Sequence, residues 1–211
     1  MAEERFDIYD EQLRHMGTAT RTETHARGHW HRTFHCWLTR REGNRRFVRF
    51  QLRQAGKDTN PGCYDITAAG HLAAGETMRE AIRELEEELG VSAEFEQLIP
   101  LGQIREEAGG EVNGALFIDR EISDVFALVC ETPLTELRLQ PEEVAGVYEA
   151  DLDELIAMFE GSLTEAAAIG VELSDADGRP VPAQRVVKAG QFVPRDPSYY
   201  VSVLRKLYGC T

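Results

Sequence analysis

The segment Arg83-Glu84-Leu85-Glu86-Glu87-Glu88-Leu89-Gly90-Val91 constrains this chain more than any other. Met78, Ile82, Leu85 and Leu89 recur at helical spacing, so the stretch from about Thr77 to Leu89 reads as an amphipathic helix. Thr77 and Glu80 make a capping-box pattern at its start, and Gly90 suits a left-handed cap at its end. Glu84, Glu87 and Glu88 stand at i, i+3 and i+4, which places their carboxylates on one side of the helix, away from the apolar stripe. Like charges so placed destabilise an isolated helix by roughly 0.2–0.5 kcal/mol per pair. A divalent cation would offset that, because hard cations take oxygen ligands. A solvated acidic face is the plainer reading of the same residues.

Composition narrows the classes. The chain has 211 residues and is 42% hydrophobic, an ordinary globular balance that favours one core with elaborations over two independent units. A formal charge of −14 argues against a nucleic-acid partner or an anionic membrane surface. Cys36, Cys63, Cys130 and Cys210 form no CxxC pair, so neither a zinc knuckle nor a thioredoxin-like motif is supported. Reduced, scattered thiols fit a cytoplasmic protein. The start, Met-Ala-Glu-Glu-Arg, does not read as a signal peptide, and no apolar run approaches the ~18 residues of a membrane span.

Along the chain, Phe6–Asp10 reads as a short strand, followed by about twenty loop-like residues. His31–Arg40 and Arg45–Arg53 bracket the turn signal Glu42-Gly43-Asn44 and read as a hairpin. In its second strand, period-two alternation puts Arg49, Gln51 and Arg53 on one face. Lys57–Gly62 is a loop, and Tyr64–Thr67 a short strand. Further strands are expected at Phe95–Ile104, Asp124–Glu131 and, more weakly, Val144–Glu149. Asp151 caps a helix through about Phe159, and Ser198–Tyr208 reads as a closing helix. Residues 161–193 carry little pattern beyond a turn at Asp175–Gly178. Strands interleaved with helices imply an α/β or α+β domain.

The opening segment, with Gly70 and Glu76 before it, resembles a Nudix box: a glycine, a spaced glutamate, then Arg-Glu-hydrophobic-x-Glu-Glu-x-Gly-hydrophobic. Residues 83–91 match the second half at every specified position. The two halves lie one residue too close, because residues 77–82 supply six positions where the pattern has seven. A deletion at the start of the helix keeps Gly70 and Glu76 in register, and what it puts at issue is the bracing contact between Glu76 and Arg83. Setting the register from the helix end would instead move Gly75 and Ala69 into those two positions.

The resemblance implies a Nudix α/β/α sandwich with a mixed central sheet, spanning residues 1–211 as one domain. Within it, residues 1–30 would form an N-terminal strand and loop, 31–160 the core, and 161–211 a C-terminal elaboration. It also implies that Glu84, Glu87 and Glu88, with the backbone carbonyl of Ala69, bind Mg2+ or Mn2+. The activity implied is cleavage of a small-molecule organic diphosphate by water attack on phosphorus, with a glutamate activating the water. The substrate could be a nucleoside diphosphate linked to another group or an isoprenoid diphosphate. Homodimers are common in the family.

A second resemblance narrows the branch. The runs His29–Leu38 and Pro61–His71 are similar to isopentenyl-diphosphate isomerases and the Nudix hydrolases nearest them, over roughly residues 5–150. That likeness implies a further metal site built on His31 and His71, with His25 fitting after a one-residue slip and Asp119-Arg120-Glu121 in place of an acidic pair. Glu121 is expected just ahead of a strand, as an extra metal ligand or the general base; Glu142 and Glu143 compete for that role. The isomerase also needs a cysteine where this chain has Ala69, which disfavours isomerase chemistry. A non-catalytic ligand-binding regulator of the same fold is a third reading. Arg49 and Arg53 are candidates to grip phosphate by bidentate contacts.

Overall fold

Two neighbouring strands with different burial set the frame of the molecule. In β3 (Trp30–Glu42) the central residues are buried on both faces, as expected of a strand covered from both sides. β4 (Arg45–Arg53) meets it across the two-residue turn at Gly43 and Asn44, with Glu42 opposite Arg45. The structure, a computed structural model, describes residues 3–112, 114–174 and 178–210.

Around this pair the chain adds β1 (Arg5–Tyr9), β2 (His15–Thr20), α1 (Arg21–Arg27), β5 (Tyr64–Ile66), β6 (Ala68–His71) and α2 (Arg83–Leu89). A long hairpin follows, β7 (Ile99–Val112) and β8 (Ala115–Val129), then β9 (Val144–Asp151), α3 (Leu152–Phe159), β10 (Ala166–Leu173), β11 (Pro180–Val187) and α4 (Pro197–Leu207). The strands join in the order β11-β10-β9-β4-β3-β1-β2, with β5 on β4, β6 and β8 on β3, and β7 on β8. β8 runs parallel to β3, from Trp30 beside Arg120 to Thr39 beside Val129, while the other ladders are antiparallel. The sheet is therefore mixed, as the box resemblance implies.

Each sheet face buries its own cluster. Phe34, Cys36 and Leu38 pack with Leu85 and Leu89 of α2 on one side. Trp37, Val48 and Phe50 pack on the other with Leu155 of α3 and with Tyr199, Tyr200, Val203, Leu204 and Leu207 of α4. Helices on both faces of a mixed sheet make the α/β/α sandwich that the box resemblance implies.

Several elements differ from what the sequence pattern suggests. Residues 11–30 are not a loop: they hold β2 and α1. Thr20 caps α1 by accepting from the Glu23 amide, and Gly28 closes it at φ 63°. The expected helix from Thr77 is a 3-10 turn over Glu80–Ile82, and the α-helix begins only at Arg83. Phe95–Gln97 is likewise a 3-10 turn rather than strand. β8 begins well before Asp124, so Glu121 lies inside a strand and not ahead of one. The stretch from 161 to 193 contains the β10–β11 hairpin. Most of its expected turn, residues 175–177, lies outside the described residues.

The 3-10 turn explains how a box one residue short keeps its geometry. A 3-10 helix rises about 2.0 Å per residue and an α-helix about 1.5 Å, so three 3-10 residues reach as far as four α-helical ones. Arg83 accordingly still reaches Glu76, donating from Nε to Oε1 at 2.7 Å and from Nη2 to Oε2 at 3.1 Å. The brace that the missing residue put at issue is intact.

Candidate functional site

The box carboxylates form one wall of a cavity of about 760 Å³. α2 aims them there because its other side, Leu85 and Leu89, is fixed in the core. Glu84 lies hard against Gly70: a Cβ at that glycine would fall 2.2 Å from the carboxylate and push it from its place. Glu88 is buried and accepts from Gln51 Nε2 and from the Ala69 amide, both at 3.3 Å. Burial, reinforced by the negative charge of Glu84, pushes its carboxyl up to about 8. Burial also raises Glu84, against the pull of Arg83. Glu87 is half exposed, and Arg83 Nη1 bridges it to Glu84 at 2.7 and 2.8 Å. A buried carboxylate pair that is short of donors is a site that a cation would complete.

A second cluster adjoins the first through His71. One ligand atom from each of His25, His31, His71 and Asp119 falls within 4.8 Å of the others. α1 supplies His25, β3 His31, the end of β6 His71, and β8 Asp119. His25 Nδ1 donates to the Arg21 carbonyl at 2.9 Å, and His31 Nδ1 to the His29 carbonyl at 3.1 Å. Those bonds fix the tautomers and leave both Nε2 atoms as acceptors. Each faces Asp119 Oδ1, another acceptor, at 3.5 Å. The Nε2 atoms of His25, His31 and His71 and Oδ1 of Asp119 are all buried without a hydrogen-bond partner among the described residues.

Nε2 of His25, Nε2 of His31 and Oδ1 of Asp119 are acceptors turned on one another, and a cation between them would satisfy all three. Ligands at 2.0–2.1 Å from a tetrahedral ion lie about 3.4 Å apart, close to the 3.5 Å from Asp119 Oδ1 to the Nε2 atoms of His25 and His31. The donor set therefore fits a metal, with carbonyls holding the ligating imidazoles from behind. Burial, helped by the charge of His71, lowers His31 to about 4, so its ring is neutral near pH 7 and free to ligate. Glu121 stands 3.5 Å from His71 Nε2. Burial raises its carboxyl, but His71, His35 and Arg195 outweigh that and hold it well below the usual carboxylate range.

Of the residues singled out from the sequence, Glu84, Glu87, Glu88, Ala69, His71, Glu121 and Arg53 line this one cavity, and His31 lies in the histidine cluster beside it. Glu143 lines the same cavity, paired with Lys57. Arg49 requires a correction. It shares a face with Gln51 and Arg53 as expected, but it is buried and its guanidinium is committed to Glu149 at 3.2 Å and to Cys130 Sγ at 3.5 Å. Arg53 reaches the cavity, yet it donates to Asp65 and to the carbonyls of Thr59 and Asn60, tying down the loop before β5.

Lining residues that the sequence pattern does not single out include Arg21, His35, Lys57, Asp65, Glu106 and Arg195. For His35 and Asp65 a signal existed, since each is a polar residue inside an apolar strand run, Phe34-His35-Cys36 and Tyr64-Asp65-Ile66. Arg195 lies in an irregular segment with no periodicity to flag it.

The fold agrees with what is found on comparison. A sequence model of the NUDIX domain matches residues 29–169. A Nudix hydrolase of Clostridium acetobutylicum is 37% identical over 207 residues, 98% of this chain and 98% of that protein. An isopentenyl-diphosphate Delta-isomerase of Clavibacter sepedonicus is 33% identical over 151 residues, 71% of this chain and 74% of the isomerase. A crystal structure of a Deinococcus radiodurans protein shares the fold, with a TM-score of 0.54 at 22% identity over 75% of this chain and 90% of that one. The chain belongs to the Nudix family of diphosphate hydrolases.

Proposed function

We propose that this chain hydrolyses a small-molecule organic diphosphate by water attack on phosphorus, assisted by Mg2+ or Mn2+ held on the box wall. The water oxygen bonds to phosphorus, the bridging P–O bond breaks, and monophosphate products leave. The observation that carries this reading is the convergence of Glu84, Glu87 and Glu88 on one cavity, beside the Ala69 backbone. Those four residues would hold the cation. When bound, it neutralises phosphate charge and lowers the pKa of a water.

The chain's own groups do the remaining work by placement and electrostatics. Arg83, braced by Glu76, fixes Glu84 and Glu87 in position. Gln51 and the Ala69 amide orient Glu88. Arg21 and Lys57 bring positive charge to the same cavity and suit substrate phosphates. We assign proton acceptance to the box carboxylates rather than to Glu121. A carboxylate held well below its usual range makes a weak base but a good ligand. Glu121 therefore joins His25, His31, His71 and Asp119 as a second set of cation ligands.

Replacing Glu87 or Glu88 by Gln is expected to lower magnesium-dependent turnover by about 100-fold or more, with the fold retained by circular dichroism. Unchanged turnover in the double variant would overturn the assignment. An isomerase reading draws support from the histidine cluster and the Clavibacter relative, and Ala69 at the cysteine position opposes it. Product analysis after incubation with isopentenyl diphosphate tests the isomerase reading: appearance of the allylic isomer would restore it.

A further inference from the structure

The part of the cavity nearest Ala69 has a chemistry that the family resemblance does not supply. Arg195 comes from the segment between β11 and α4, outside the 29–169 stretch that matches the family. Its backbone neighbourhood is pinned: the Val193 amide donates to the Tyr64 carbonyl at 2.8 Å, and Phe192 bridges to Tyr64. Its guanidinium lies over the Tyr199 ring, 5.0 Å from the centroid. Nη1 donates to Glu106 Oε2 at 2.5 Å and Nη2 to Asp65 Oδ1 at 3.4 Å. Its Nε is buried and has no partner among the described residues.

This group borders the proposed reaction centre directly. Glu106 faces Glu121 across the β7–β8 ladder. His35, whose Nδ1 lies 3.1 Å from the Tyr199 hydroxyl, faces Ala69 across the β3–β6 ladder. Asp65 also accepts from Arg53, so two carboxylates and two guanidiniums meet here. The charges of these four groups offset one another. The wall they form offers fixed acceptors and an unused donor side by side. A hydrocarbon against it would strand those groups out of water. A hydroxyl, which donates and accepts at once, matches it.

We propose that Arg195, with Asp65 and Glu106, determines specificity by binding hydroxyl groups on the moiety attached to the diphosphate, so that the substrate is a polyhydroxylated, sugar-type diphosphate and not an isoprenoid one. The inference rests on diphosphate hydrolysis in this same cavity and chooses between the two substrate classes left open for it. Arg195 recognises the substrate; bond cleavage belongs to the box wall.

The test uses the full chain with magnesium and two sets of diphosphates that differ only beyond the phosphates: isopentenyl and butyl diphosphate against glucose- and ribose-linked diphosphates. The expected result is a kcat/KM at least tenfold higher for the hydroxylated set, with the difference in KM. Arg195→Met should lose at least tenfold more on the hydroxylated set than on the alkyl set, while Arg195→Lys should lose less. Equal efficiency of the two sets in the unaltered protein would overturn the proposal. So would an equal loss on both sets in a folded Arg195→Met protein, which would make the residue merely structural. The comparison within the unaltered protein decides even where Arg195→Met does not fold. Calorimetric binding of the same compounds keeps the hydrolase reading separate: preferential binding of the hydroxylated set without turnover would refute hydrolysis and sustain the specificity, and equal binding would refute the specificity.

Discussion

At the scale of the residue, Glu88 shows what a buried carboxylate does before a cation arrives. Its carboxyl is pushed from 4.5 to about 8 by burial and by Glu84. The folded protein then holds a proton that the unfolded chain has already lost, so stability falls as pH rises towards 8. His31 and His35 act in the opposite sense, because burial lowers them from 6.5 to about 4 and about 3. Their contribution grows with pH, slows above pH 6.5 and is complete about one unit higher, so above pH 6.5 the Glu88 effect dominates. Between about pH 6.5 and 8 in a chelator, the unaltered protein should lose on the order of 1 kcal/mol of stability. Glu88→Gln should remove most of that slope and raise the melting temperature at pH 8, although it abolishes turnover. Excess magnesium should flatten the slope in the unaltered protein. Thermal melts across this pH range check all three. A slope that Glu88→Gln leaves untouched would show that this carboxylate is not the buried, cation-dependent group described here.

At the scale of the element, α2 illustrates both the reach and the limits of sequence pattern. Its acidic face, its buried stripe and its terminal glycine follow from spacing alone, and Leu85, Leu89 and Gly90 occupy the expected places. Its start does not, because the choice between α and 3-10 winding at Glu80–Ile82 is set by the need to keep Arg83 on Glu76, a tertiary contact. Spacing also places the start of β8 too late, at Asp124 rather than Ala115. Asp119, Arg120 and Glu121 look like turn residues, yet they are strand residues whose side chains serve the site or pair across the β7 ladder. Arg49 shows the converse limit: alternation assigns its face correctly but cannot reveal that Glu149 waits opposite it in β9. Gly90 gives a direct test of the element. It sits at φ 67°, and an added Cβ would meet the Arg138 side chain at 2.8 Å. Gly90→Ala should cost about 1–2 kcal/mol, the left-handed penalty for a side chain. That corresponds to a drop of roughly 2–8 °C in melting temperature for a chain of this size. The folded fraction should keep its turnover, since α2 itself is unchanged. Differential scanning calorimetry with kinetics below the transition checks both halves.

At the scale of the whole molecule, the question is whether the family-matched stretch is a unit to which the C-terminal segment is merely attached. The core answers through α4. Tyr199, Tyr200, Val203, Leu204 and Leu207 are buried in the cluster that also holds Trp37, Val48 and Phe50 of the central strands. Tyr200 stacks on Phe159 of α3 at 4.3 Å, and Lys206 donates to the Leu101 carbonyl of β7. Burial of a large side chain contributes about 1.5–3 kcal/mol. Five of them match the whole net stability of a typical domain, about 5–15 kcal/mol. We infer that residues 3–210 act as one cooperative unit, with the C-terminal segment supplying core and cavity wall together. A chain ending at Val187, just before the segment that carries Arg195 and α4, should therefore show no cooperative thermal transition and should expose its aromatic cluster to a hydrophobic dye. A truncated chain that melts cooperatively within a few degrees of the full protein would make the segment an appendage. It would also imply that Arg195 arrives at the cavity by docking rather than as part of the fold, and substrate preference measured on the truncated chain would then report the cavity without its polar wall.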